Sequence, residues 1–225
     1  MKLSDVAYSH VKSMLIEGRV GRNMWLPVDE IAGELGSSRQ PVMDAMKRLA
    51  LEGFVEIVPQ VGCRIHSPDT QEIDDFYRLF AAGEGLIAEL CAARADQSDI
   101  LSLQLISQQI GLLDTTADAS DGIGEKYRLL NRRLHAEMRR ISRSPTLANI
   151  VESLGDRSDF YVALTNRAVF ALNIGKAHRE HEAIIAAIAS GNAKGAREAM
   201  ESHIFATEGR ILETGSKAEP LRDAG

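Results

Sequence analysis

The sequence predicts a mainly α-helical protein in two parts: a small N-terminal module of three helices and a hairpin, then an antiparallel α-helical bundle. Three observations carry this. Apolar residues recur at helical spacing from Ser4 to about Glu52, and again from Gln71 to about Gly215. Between these stretches the period changes, and Phe54 to His66 is strand-like and broken by a Pro-Gln-Val-Gly turn. Aromatic residues make up only 5% of the chain, while Ala, Leu, Ile and Met are frequent, which favours helix packing over a large sheet.

The first helix runs from Ser4 to about Gly18, with Val6, Val11, Met14 and Leu15 as its apolar stripe and Gly18 as its stop. A loop with Trp25, Leu26 and Pro27 follows. Val28, Ile31, Ala32 and Leu35 then fall at i, i+3, i+4 and i+7, the mark of a short amphipathic helix. Gly36 to Ser38 is a turn, and Ser37 or Ser38 can cap a helix reaching about Glu52. Pro41 falls in its first turn, where a missing N–H costs little. Two short strands follow, Phe54–Val58 and Cys63–His66. Beyond a linker at Ser67–Thr70, helical stretches are expected at 71–94, 98–114, 122–142, 145–170, 173–190 and 192–214. Breaks are expected at Asp96–Ser98, Asp118–Asp121, Ser144–Pro145 and Gly191–Asn192. Short connections argue for antiparallel neighbours. The expected domains are residues 1–68, residues 69–215, and a disordered tail at 216–225.

Composition excludes some classes. No apolar run approaches the roughly 18 residues that a membrane span needs, and the N-terminus turns polar at once. Cys63 and Cys91 belong to no CxxC pair, so a cytoplasmic protein with reduced thiols and no membrane partner is expected. The net charge of −6 argues against a nucleic-acid partner. Its distribution softens that: residues 1–68 hold eight basic and eight acidic side chains, and all the excess acid lies beyond.

Three helices followed by a hairpin outline a winged helix-turn-helix. Packing Ile31 and Leu35 on Val42 and Met46 leaves Arg39, Gln40, Met43 and Lys47 facing outward. Such a helix fits the major groove of double-stranded operator DNA, with its N-terminal end nearest the bases. Arg64 and the Gln60–Gly62 tip could reach the backbone or the minor groove. The same pattern also suits a helical hairpin with an ordinary solvated face.

The stretch from Leu35 through Ser38, Arg39, Gln40, Pro41, Val42, Met43, Asp44, Ala45, Met46, Lys47, Arg48 and Leu49 resembles GntR-family transcription regulators. The likeness continues through Glu52–Ile57 and Pro59–Cys63, so it covers turn, recognition helix and wing. The later bundle resembles the FadR-like C-terminal domain of that family, the FCD domain. The resemblance implies a bacterial regulator that is not an enzyme. It also implies DNA contacts from Ser38, Arg39, Gln40 and Lys47, leaves the role of Met43 open, and joins them to the wing candidates Gly62 and Arg64. Asp29 and Met43 depart from it, because many members carry Arg at both positions.

In the bundle, Asn131 and His135 are i, i+4 and share a helix face. Leu130–His135 resembles the family's D/N-x-x-F-H pattern, and His181 and His203 resemble its second and third histidines. The resemblance implies that Asn131, His135, His181 and His203 hold one divalent ion. Three imidazoles suit Zn foremost, with Ni, Co or Fe also served and Mn tolerated. Each histidine alone reads as an ordinary polar residue on a helix, and His178 is not expected to ligate. Asn131 lacks the charge of an Asp, which leaves the site more positive and suited to a small anionic effector such as a carboxylate. A family Arg of the first bundle helix is replaced by Phe80. The expectation is a homodimeric, ligand-responsive regulator on a pseudo-palindromic operator. The rivals are a metal-dependent hydrolase using the three histidines, and a plain helical interaction protein.

Overall fold

The computed structural model describes residues 2–114, 122–165 and 173–215. The expected break at Asp118–Asp121, the expected helix end at residue 170 and the expected disordered tail lie outside them. By contact the chain forms two compact units. One holds the residues up to Asp69 together with Gly155–Thr165; the other holds Thr70–Leu154 and the described residues from Asn173 onward.

The first unit contains α1 (Leu3–Ile16), α2 (Val28–Glu34) and α3 (Arg39–Leu51), then β1 (Val55–Val58) and β2 (Gly62–Ile65). α3 packs against α1 and α2, and its Val42, Ala45, Met46 and Leu49 are fully buried. Two corners set its direction. Gly36 has φ 57°, and the Ser37 N–H turns back to the Ala32 carbonyl at 2.9 Å. Gly53 has φ 78°, and the Phe54 N–H reaches the Leu49 carbonyl at 2.9 Å. Both positions need a backbone that side chains other than glycine rarely adopt.

Two local expectations change. Ser38 is the cap residue of α3 but makes no side-chain cap bond. A cap hydroxyl bonds the N–H of the second or third helical residue, and the third is Pro41, which has none. The loop before α2 also does more than connect. Trp25 bridges Arg64, with the Leu26 N–H on the Cys63 carbonyl at 2.8 Å and the Ile65 N–H on the Met24 carbonyl at 2.9 Å. These residues therefore cover the free edge of β2. The hairpin pairs Val55 with Ile65 and Glu56 with Arg64. Its turn puts Pro59 first and Gln60 second, the latter at φ 63°.

The second unit holds α4 (Thr70–Arg94), α5 (Gln97–Asp114), α6 (Ile123–Ile141), the first part of α7 (Pro145–Ala163), α8 (Ile174–Ala189) and α9 (Ala193–Gly215). α9 lies against α4 and α8, α5 against α6 and α8, and α4 against α6 and α8. α7 serves both units. Its residues from Gly155 on join the first, where Asp156 pairs with Lys12 at 2.9 Å and the Phe160 ring meets Phe54 at 5.2 Å.

The start of α5 carries a reciprocal cap. Asp96 accepts from the N–H groups of Ser98 and Asp99 at 2.9 and 3.0 Å, and Asp99 accepts from the Asp96 N–H at 3.2 Å. Arg140 and Arg143 of the α6 end then bond the Asp99 carboxylate at 2.5 and 3.3 Å. The Arg140 bond holds the Asp99 carboxyl below its usual range. A depressed carboxyl stabilises the fold above its unfolded pKa, about 3.9, and loses that contribution as pH falls through the folded value. Asp99→Asn should therefore lower the melting temperature at pH 7. The gap to the natural protein should close below about pH 4, as thermal melts across pH would show.

Candidate functional site

α3 is amphipathic, and burial of one face fixes what the other presents. Ser38, Arg39, Gln40 and Lys47 are exposed, and Met43 is half-buried between the two faces. Each cation on this side has a carboxylate partner. Arg39 Nη1 donates to both oxygens of Asp29 at 2.9 and 2.8 Å. Lys47 Nζ and Gln40 Nε2 both donate to Asp44 Oδ1, at 3.1 and 3.0 Å. On the wing, Arg64 Nε donates to Glu56 Oε2 at 2.7 Å, and Gly62 opens the same strand. The departure at Asp29 thus acts on Arg39 directly. Exposed pairs of this kind contribute only about 0–1 kcal/mol, so a phosphate or a base edge can displace them.

The second site lies in the bundle. His135 of α6, His181 of α8 and His203 of α9 each sit on the apolar stripe of their helix, at 6%, 0% and 4% exposure. One nitrogen from each lies within 4.8 Å of the others. His181 Nε2 and His203 Nε2 are 3.3 Å apart. The His203 Nδ1 is 2.7 Å from Glu180 Oε2. A carboxylate accepts there, so Nδ1 carries the proton and Nε2 turns a lone pair toward His181. Two nitrogens each about 2.0–2.1 Å from one tetrahedral ion lie about 3.3–3.4 Å apart. The donor set and its spacing therefore fit a divalent ion.

Charged groups stand behind the imidazoles. His135 Nδ1 lies 3.3 Å from Glu84 Oε2, whose other oxygen takes Arg139 Nη1 at 3.1 Å. Glu180 is likewise held by Arg210 Nη2 at 2.9 Å. Burial pushes the His181 imidazole well below its ordinary pKa, helped by the neighbouring His203 and His135. Burial also lowers His203, against the pull of Glu180. For Glu84, burial works to raise the carboxyl, but His135 and Arg139 outweigh it and hold it low. The two thiols are inert by comparison: both are buried, and burial pushes Cys91 up to about 12.

Three of the four expected ligands thus converge. Asn131 lies one turn before His135, half-buried, with its Oδ1 3.5 Å from the Tyr127 hydroxyl. His178 stands outside the group and contacts the Ser107 hydroxyl at 3.3 Å. Phe80 is a core residue stacked on Phe76 at 5.8 Å. Arg78 and Arg128 pair with Asp74 and Glu125 on their own helices. Sequence reasoning gave Glu180, Arg139 and Arg210 no role. No periodicity marks them, but a Glu directly before a core His, and an Arg one turn after another, were visible signals.

A two-strand wing behind a helix-turn-helix, joined to a helical domain with a histidine centre, defines a DNA-binding regulator with a separate sensing part. Comparison agrees. Residues 75–206 match the FCD domain, and residues 3–65 match the bacterial regulatory proteins of the gntR family. The chain belongs to the GntR family of bacterial transcription regulators, in the branch with an FCD domain. It is 26% identical over 205 residues to the HTH-type transcriptional regulator YdhC of Bacillus subtilis strain 168, covering 88% of this chain and 84% of that one. It is 23% identical over 203 residues to the HTH-type transcriptional repressor GlaR of Escherichia coli K12, covering 88% and 90%. The solved structure of E. coli McbR/YncC superposes with a TM-score of 0.77 at 17% identity, covering 95% and 98%, a likeness of fold. These relatives are regulators, which sets the hydrolase reading aside. No helix among the described residues is long and apolar enough to cross a membrane.

The buried imidazoles give stability a pH dependence. Their folded pKa lies below the unfolded value, about 6.5, so the unfolded chain takes up more protons as pH drops. Stability should be full above about pH 6.5 and decline below it. Melts in chelator should show this decline, and His181→Leu should flatten it. A slope unchanged in the variant would place the titrating groups elsewhere.

Proposed function

We propose that this protein represses or activates transcription from a pseudo-palindromic operator as a cytoplasmic homodimer, one α3 per half-site. The observation that carries the reading is the face of α3: four buried apolar residues hold Ser38, Arg39, Gln40 and Lys47 toward solvent, with the half-buried Met43 at the edge of that face. Ser38, its hydroxyl not used as a cap, contacts the DNA backbone. Arg39 reads a base. Lys47, Arg64 and the wing at Gly62 take phosphates. Met43 replaces a guanine-reading Arg with an apolar contact suited to a thymine methyl.

The bundle is the sensor. Asn131, His135, His181 and His203 hold one divalent ion, Zn by donor preference, with Ni or Mn as substitutes. The ion supplies a Lewis-acidic position for a small anionic effector, a carboxylate by charge. Asn131 adds no negative charge, and Glu84 and Glu180 are each offset by an arginine. The effector favours one relative placement of the two DNA-binding modules in the dimer.

Operator selection followed by titration tests the reading. Arg39→Ala should weaken the selected duplex by about 1–3 kcal/mol and leave random duplex nearly unchanged. Lys47→Ala should weaken both alike. Equal loss on both duplexes for Arg39→Ala would remove its base-reading role. Met43→Arg should move the selected sequence toward guanine at one position per half-site, and an identical consensus for both proteins would count against the thymine contact. Elemental analysis after loading should find about one Zn per chain, and its absence would return the histidines to plain pocket lining.

A further inference from the structure

We propose that Glu84 and Glu180 are positioning residues for the ion held by the histidines, and that Arg139 and Arg210 set how much of their charge that ion feels. The inference rests on the metal reading above. Two chains of the same composition meet at the cluster. One runs from His135 Nδ1 to Glu84 Oε2 at 3.3 Å and from Glu84 Oε1 to Arg139 at 3.1 Å. The other runs from His203 Nδ1 to Glu180 Oε2 at 2.7 Å and from Glu180 Oε1 to Arg210 at 2.9 Å. Four helices contribute: α4 gives Glu84, α6 gives His135 and Arg139, α8 gives Glu180, and α9 gives His203 and Arg210.

Glu84 is fully buried. A carboxylate taken out of water is costly unless something charged uses it. Glu84 gives Arg139 only Oε1 and sets Oε2 beside His135 Nδ1, while Glu180 accepts from Arg210 on both oxygens, at 2.9 and 3.2 Å, and still has its shortest contact, 2.7 Å, with His203 Nδ1. At His203 that bond fixes the ring, keeps the proton on Nδ1, presents Nε2 as the donor and makes it more basic. His181 has no such support, and its Nδ1 is buried without a hydrogen-bond partner. The Glu180 chain therefore singles out His203 as the strongest ligand, and Glu84 supports His135 by its charge at 3.3 Å. The Glu180 bond is short and aligned, whereas Glu84 Oε2 and His135 Nδ1 form no aligned hydrogen bond. Glu180 is the more effective of the two.

The arginines act in the opposite sense. Two carboxylates would tighten a divalent ion and quench its pull on other anions. With Arg139 and Arg210 in place the outer charges cancel, the histidines are neutral, and the ion keeps its charge for what enters the site.

Competition with a chelator, using Co(II) and the full-length protein at one pH, tests this. Glu180→Gln should weaken Co(II) about 10–100-fold, Glu84→Gln less, and Glu180→Asp should recover part of the loss. Arg210→Gln and Arg139→Gln should tighten Co(II) at least about threefold, by removing positive charge near the ion. The melting temperature of each variant in chelator is measured alongside. A merely structural role would weaken binding in all these variants, in step with that temperature. Glu180→Gln within about twofold of the natural protein, or weaker binding in Arg210→Gln, overturns the proposal. Failure of the natural protein to bind Co(II) overturns the metal reading and this inference together. Binding by the natural protein with unaffected Glu variants overturns this inference alone.

Discussion

Three imidazoles on the apolar stripes of three helices are the constraint on which the bundle depends. His135 lies between Leu134 and Met138, His181 between Ala177 and Ile184, and His203 between Met200 and Ile204, all buried. A polar ring in such a place must find partners or lose several kcal/mol. Meeting within 4.8 Å requires α6, α8 and α9 each to hold one rotation about its axis. A rotation by one residue would carry Leu134 or the exposed Ala136 into that place on α6 instead. An all-aliphatic centre would tolerate more rotations and would be more stable. The stability lost is consistent with a centre kept for what it binds.

The N-terminal module meets a different requirement. It must present one helix face to a rigid duplex, and so the helix must not rock. Leu49 and Met46 are fully buried, and Gly36 and Gly53 fix both ends of α3. At its far end, Gly53 lies against α7: an added Cβ would lie 2.7 Å from the Arg157 guanidinium, which would have to move aside. That arginine comes from α7, a helix that also belongs to the sensing unit. The corner that aims the recognition helix is thus closed partly by a segment about a hundred residues away in sequence.

This also shows what a sequence can and cannot disclose. Except at α7, expected to reach residue 170 but stopping at Ala163, periodicity located the described helices to within about two residues, since burial of a stripe is a local property of a repeating pattern. It also placed the three histidines on those stripes, although the family resemblance was what joined them into one set. What it missed depends on contacts distant in the chain. The Trp25 bridge is too short to show alternation. The pairing of Glu180 with His203 and Arg210, and of Glu84 with Arg139, crosses from one helix to another. The Ser38 cap failed for a reason that was legible: Pro41 stands where a donor was needed.

The pairing of the cations proposed to face DNA bears on how such a module could discriminate. Arg39, Lys47 and Arg64 each already hold a carboxylate. A phosphate must displace Asp29, Asp44 or Glu56, so each contact yields less than a free cation would, and those carboxylates then face the duplex. Non-specific affinity, which comes from phosphates, suffers most. Base contacts retain more of their value, since a bidentate pair to a base edge is directional. One module of this kind binds weakly, and a second on the same operator raises affinity through effective concentration. The coupling needed to release such a complex is then small. On the proposed reading, an effector-driven shift of about 1–3 kcal/mol that misplaces one module relative to the other suffices, which is within reach of a single anion at the metal centre proposed for the bundle.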